Sequence, residues 1–209
     1  MVEANDMGAV HLLAGRAPFV AGLHLNAYNP QTLALLAKWG ACRWVLPAEL
    51  SREALRDLQQ HRPASLATEV FAYGRLPLAL SARCFTARHH NTSKDDCGFR
   101  CVDDPGGLAL ITGDGERFLT VNGIQVQSAR VHNLIAELAD LEALGVDALR
   151  ISPQAEHTVE IVRLFRECAD QRLSPATASE RIAALAPGAV CNGYWYGRPG
   201  IERLAPATA

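Results

Sequence analysis

Apolar runs of strand length alternate along the chain with segments whose apolar residues recur at helical spacing. That is the pattern of successive βα units and a parallel sheet. Phe19–Leu25 reads as a buried strand. Asn29-Pro30 starts a helix, because proline's missing N–H falls where it would have no partner, and Leu33, Leu36 and Ala37 give a core stripe ending near Gly40. Arg43–Leu46 follows as a short strand. Ser51 is a good N-cap for a helix carrying Leu55 and Leu58 on one side, which stops before Pro63 because residues preceding proline avoid the α region. Leu66–Phe71 is a third buried strand.

Between Tyr73 and Cys101 the periodicity fades into proline, polar residues and charge, which predicts a long irregular segment. Leu108–Thr112 and Phe118–Val121, separated by Gly113-Asp114-Gly115, read as an antiparallel hairpin, and Asn122-Gly123 leads into a short strand at Ile124–Val126. Val131–Leu144 reads as a helix capped by Gly145, Asp147–Ile151 as a buried strand, and Thr158–Ala169 as a helix. Ser174–Leu185 is a last helix with Pro175 at its first position. The expected fold class is therefore α/β: the C-terminal half or more of a (β/α)8 TIM-type barrel with a small antiparallel hairpin insertion at about residues 108–127. Residues 1–209 read as one partial barrel domain, with a cysteine-containing loop at 74–101.

Composition narrows the functional classes. With 209 residues, 49% hydrophobic, 20% charged and a net charge of −2, the chain has the make-up of an ordinary globular protein rather than a disordered or fibrous one. The 20 basic residues include only two lysines, Lys38 and Lys94, and the arginines are scattered without a run, so no nucleic-acid face is expected. No apolar stretch reaches membrane-spanning length and the N-terminus lacks the basic and apolar regions of a signal peptide, so the expected location is cytoplasmic and reducing.

Six cysteines, at 42, 84, 97, 101, 168 and 191, are too few and too uneven for a secreted disulfide scaffold. Cys84, Cys97 and Cys101 form a C-x12-C-x3-C set among Arg83, Arg88, Lys94 and Arg100. Thiolates ligate zinc and iron–sulfur centres, and neighbouring cations offset the negative charge of such a centre. Zinc with His89 or His90 as fourth ligand is one option, although structural zinc sites favour paired, shorter cysteine spacings. A four-thiolate cluster with one remote ligand is another, and three unrelated buried thiols a third. Cys168 falls on the apolar stripe of Ile161, Leu164 and Phe165 and Cys42 opens a buried strand, so both read as core thiols. Cys191 is ambiguous. Glu69, at a strand end, reads equally as a site carboxylate or as a partner of Arg75. His24, Asn26 and His89 carry no assigned role.

The run from Glu69 through Phe71 and Gly74 to Leu76 resembles the E-x-F-x-x-G-x-L/M pattern of the collagenase-like peptidase family of unknown catalytic type. Asn5–Ala9, Gly22–Asn29 and Cys191–Trp195 extend the resemblance over essentially the whole chain. Gly74–Arg88 followed by Cys97 and Cys101 is similar to the branch of that family that serves oxygen-independent ubiquinone biosynthesis. The resemblance implies a 4Fe-4S cluster with Cys84, Cys97 and Cys101 as three of its ligands. It also implies anaerobic ring hydroxylation of a small-molecule substrate, a heterodimer with a homologous subunit, and a lipid-binding partner. Relatives in the family hydroxylate RNA bases, and a noncatalytic cluster-holding subunit is a further possibility. A peptidase reading lacks a G-x-S-x-G elbow or an H-E-x-x-H motif in this sequence. The fourth ligand of the family pattern lies in an N-terminal portion not matched here. The chain therefore reads as N-terminally truncated, and the unpaired strand edge of a half-barrel predicts association or poor solubility.

Overall fold

The computed structural model describes residues 1–205 of the chain. In chain order its elements begin β1 (Val2–Ala4), α1 (Met7–Leu13), β2 (Phe19–Ala21), α2 (Pro30–Lys38), β3 (Ala41–Val45) and α3 (Arg52–His61). They continue with β4 (Ala67–Leu80), α4 (Phe85–His89), β5 (Leu108–Ile111), β6 (Arg117–Asn122) and β7 (Gln125–Asn133). The last are α5 (Leu138–Ala143), β8 (Ala148–Ile151), α6 (Thr158–Ala169), α7 (Pro175–Leu185) and β9 (Val190–Cys191). The fold is mixed α/β. Its residues group into two units, one made of Met1–Ala72, Leu134–Ile151 and the chain from Cys191, the other of Tyr73–Asn133 and Ser152–Val190.

In the first unit β1, β2, β3 and the start of β4 lie side by side, all parallel, and β8 pairs with β4. The helices between them begin where a side chain caps the first turn. Asp6 Oδ1 accepts from Ala9 N at 2.9 Å, Asn29 Oδ1 from Thr32 N at 2.8 Å and Ser51 Oγ from Ala54 N at 3.2 Å. One face of the strands supplies Ala4, Phe19, Ala21 and Trp44 to a core completed by Leu33, Leu55, Leu66, Leu134, Leu141 and Trp195. The other face differs in kind. Register places Glu3, Val20 and Arg43 in one row and Val45 with Glu69 in the next, so charged side chains project from it beside a small cluster of Val20, Leu23 and Val45.

In the second unit the later part of β4 pairs antiparallel with β7, β7 with β6, and β6 with β5. The β5–β6 hairpin thus forms where the glycine-rich turn predicts it. Helices α6 and α7 pack on each other, with Ser174 Oγ accepting from Thr177 N at 3.2 Å and Pro175 in the first turn of α7. Phe165 of α6 meets Tyr73 edge-on, ring centroids 6.1 Å apart.

Three sequence expectations are corrected. The irregular segment begins after Leu80 rather than at Tyr73, because Tyr73–Leu80 finds a ladder partner in Gln125–Asn133; Pro77, which cannot donate, sits at a register shift. The expected helix from Val131 shrinks to Leu138–Ala143, since Val131–Asn133 is held as strand opposite Tyr73–Arg75, and pairing overrides helical spacing. The strand expected at Phe19–Leu25 ends at Ala21, giving way to a 3-10 turn at Leu23–Leu25 closed by left-handed Asn26. β1 and α1, too short to leave a periodic signal, have no counterpart in the sequence reading, and β1 extends the parallel set.

Candidate functional site

The cysteine-bearing segment between β4 and β5 belongs to the second unit and is anchored at its start. Ser81 N donates to Ile124 O at 2.8 Å, Phe85 N to Gly123 O at 2.7 Å, and Gly123 N to Thr86 Oγ1 at 3.2 Å. These bonds tie α4 to the β6–β7 turn, and Thr86 and Ala87 are buried there. Cys84 caps α4, its Sγ accepting from Ala87 N at 3.4 Å. Beyond α4 the chain doubles back, and Lys94 Nζ reaches Ala82 O at 3.2 Å. Cys97 closes the 3-10 turn Lys94–Asp96, and Cys101 lies within the next one, Arg100–Val102, which packs against α4.

The link between these turns has unusual backbone. Gly98 (φ 59°) and Phe99 (φ 52°) are both left-handed, and Phe99 is 76% exposed. An exposed aromatic residue in that region gains nothing from packing and is energetically unfavourable there. The chain reverses at this point, which is what allows Cys97 and Cys101, four residues apart, to be presented from consecutive turns.

All three thiols are unpaired and partly exposed. Cys84 lines a cleft of about 430 Å³ together with Arg83, Arg88 and Lys94, so its surroundings are cationic. The structure thus brings the elements of Cys84 and Cys101 into contact and flanks Cys84 with positive charge. It does not gather the three sulfurs: among the described residues no group of three or more His, Cys, Asp or Glu side chains is arranged to hold a metal ion. As a donor set, three partly exposed thiols, with cations beside Cys84, suit a thiolate-bound centre, whose own net charge is negative. His89 and His90 are exposed and meet edge-on, ring centroids 5.1 Å apart.

The other cysteines fall elsewhere. Cys168 is buried on α6 and burial pushes its thiol up, as for a core residue. Cys42 is partly buried and donates to Phe19 O at 3.4 Å, while Cys191 is buried.

Glu69 resolves in favour of partners the sequence did not suggest. It is buried and bonded to Arg150 Nε at 2.5 Å and Arg43 Nη1 at 3.0 Å. Arg150 also holds Glu3, Nη1 to Oε1 at 3.1 Å and Nη2 to Oε2 at 2.5 Å. Asn5 Nδ2 donates to Glu3 Oε1 at 2.9 Å. Gly22 makes this arrangement possible, for a Cβ there would lie 2.2 Å from Asn5 Oδ1 and 2.8 Å from Glu3 Oε1. Two carboxylates and two guanidiniums thereby neutralise each other on the charged face of the first unit. His24 and Asn26 follow β2, and Tyr28 beside them is hydrogen-bonded to Glu49; burial and that carboxylate push its phenol up to about 12. No spacing rule links Glu3 to Arg150, so this cluster left no signal in the sequence.

Among the described residues no helix is long and apolar enough to cross a membrane. No solved structure matches the chain. The model of peptidase family U32 matches residues 1–204, essentially the whole sequence that the E-x-F-x-x-G run and its companion strings pointed to, and the chain belongs to that family.

Proposed function

We propose that the chain is a UbiV-like iron–sulfur subunit of an oxygen-independent ubiquinone-ring hydroxylation system. In this reading it forms a heterodimer with a UbiU-like homologous subunit and works with a UbiT-like lipid-binding protein. Its parallel strands form part of a (β/α)8-type barrel. The observation that carries the reading is the trio Cys84, Cys97 and Cys101: free of disulfides, partly exposed and confined to one anchored segment, with Cys84 bordered by Arg83, Arg88 and Lys94. Cys84, Cys97 and Cys101 would hold three corners of a 4Fe-4S cluster, which when bound supplies one-electron redox chemistry. The chain's own contribution is positional. The bonds from Phe85 and Thr86 to Gly123 fix Cys84, the left-handed pair Gly98-Phe99 turns Cys101 back toward α4, and the three cations offset cluster charge.

The test is iron, sulfide and zinc content with a visible spectrum, on chain purified without oxygen and co-expressed with its homologous partner. Iron and sulfide in equal amounts, with a broad thiolate-to-iron absorption band, are expected. Cys84→Ser, Cys97→Ser and Cys101→Ser each abolish both, while Cys168→Ser on α6 leaves them unchanged. Stoichiometric zinc without iron, or iron retained in all three variants, overturns the reading.

A further inference from the structure

The second unit contains a cavity of about 520 Å³, a volume suited to a small organic molecule. Its walls include Val131 from β7, Leu185 and Pro187 from the end of α7, and Ser152 and Gln154 from the loop before α6; Arg75 of β4 supplies its cation. None of the cysteines of the clustered segment lines it.

Arg75 is the unusual member. It is half-buried, and its guanidinium is held by main-chain carbonyls: Nη1 donates to Ser128 O at 3.0 Å and to Ala129 O, and Nη2 to Pro187 O at 3.3 Å. Among the described residues no carboxylate lies within ion-pair distance of it. In this chain Arg43, Arg52 and Arg150 all have such partners. Carbonyl dipoles orient the guanidinium without cancelling its charge, and withdrawal from water leaves that charge poorly solvated. Burial and the nearby charge of Arg117 accordingly hold Arg75 below the usual arginine range. The carboxylate on the cavity wall, Glu156, has a largely exposed side chain that faces His157 at 3.8 Å.

The rest of the lining suits an anion with an apolar body. Gln154 is spent on structure, accepting from Tyr73 OH at 2.6 Å and donating to Leu185 O at 2.9 Å, which fixes the loop against α7. The residue preceding α6, His157, makes no side-chain cap, so the first-turn N–H groups of this 12-residue helix are not claimed by it.

We propose that this cavity is a binding site for a small organic oxyanion, with its carboxylate or phosphate facing Arg75 and its apolar body lying against Val131, Leu185 and Pro187. The site goes beyond the cluster reading and does not depend on it.

The experiment is calorimetric titration of the full-length chain with benzoate, phenyl phosphate and the neutral analogue benzamide, with and without iron in the preparation. At least one of the two anions binds saturably, and benzamide binds at least about tenfold more weakly, as loss of a charge-assisted hydrogen bond requires. Which anion binds identifies the head group. Arg75→Met removes the preference for the anion. Because that residue also braces three carbonyls, Ala184→Trp serves as the second variant: Ala184 is exposed and lines the cavity, so the indole fills it without removing a hydrogen bond. It weakens anion binding at least about tenfold at an unchanged melting temperature. Absence of saturable binding by both anions, equal binding of benzamide, or undiminished binding in Ala184→Trp overturns the proposal. None of these outcomes bears on whether the cysteines hold iron.

Discussion

Arg150→Met tests whether the charged face of the first unit is held by its ion network. Methionine keeps the apolar stem and removes the fork that joins Glu69 (2.5 Å) to Glu3 (3.1 and 2.5 Å). Arg43 remains on Glu69 and Asn5 on Glu3, so each carboxylate retains one partner. Removing one member of a fully buried pair costs about 3–5 kcal/mol, whereas fully exposed pairs contribute about 0.2–1. Here the side chains of Arg150 and Glu3 are 26% and 27% exposed and that of Glu69 8%, which places the loss between those limits, at about 2 kcal/mol. For a chain of this size that corresponds to a melting temperature lower by about 4–8 °C, read by circular dichroism. Acidification supplies an internal check. Burial raises the Glu3 carboxyl, but hydrogen bonds from Arg150 and Asn5 and the Arg150 charge outweigh it, leaving the group below its ordinary value of 4.5. A carboxyl held down by the fold contributes stability above its unfolded value that is lost as pH falls through its folded value. The difference between wild type and Arg150→Met therefore narrows on acidification below 4.5. A loss under about 0.5 kcal/mol, or a pH-independent difference, refutes the argument.

Glu137, 3% exposed, has its carboxyl raised by burial, against the nearby Tyr196 phenol and the Asn192 amide, which pull it down. A raised carboxyl penalises the fold as pH rises from its ordinary value through its folded one. Glu137→Gln, which can still accept from Asn192, should therefore raise the melting temperature at neutral pH and leave it unchanged in acid. Gly193→Ala would place a Cβ 1.9 Å from Pro199 O, so a loss of about 1–3 kcal/mol in urea unfolding is expected. Phe99→Gly relieves an exposed left-handed aromatic (φ 52°) and should preserve iron content, whereas β-branched Phe99→Val disfavours the reversal between Cys97 and Cys101 and should lower it; equal iron in the two variants would separate this turn from metal binding.

The parts of the fold that were legible in the sequence are those specified locally. Asn29-Pro30, Ser51 and Ser174-Pro175 each put a cap acceptor or a preset φ at the residue where a helix begins, and the helices start there. The β5–β6 turn is legible for the same reason. What stayed hidden was specified at a distance. Tyr73–Leu80 carries Gly74, Arg75 and Pro77, poor strand formers taken alone, and becomes strand because Gln125–Asn133 lies opposite. The converse error, a helix read at Val131, has the same origin: each segment was judged without its partner. The candidate sites divide along this line as well. The cysteine trio announces itself by spacing, since its members are neighbours in sequence. Glu3 and Arg150 are 147 residues apart, and Arg75 is distinguished by what it lacks, a carboxylate, with carbonyls of Ser128, Ala129 and Pro187 in its place. A main-chain carbonyl is present at every position whatever the side chain, so no residue pattern can report that a cation has been held in place and left with its charge uncancelled. Such a site becomes visible only once the backbone that surrounds it is known.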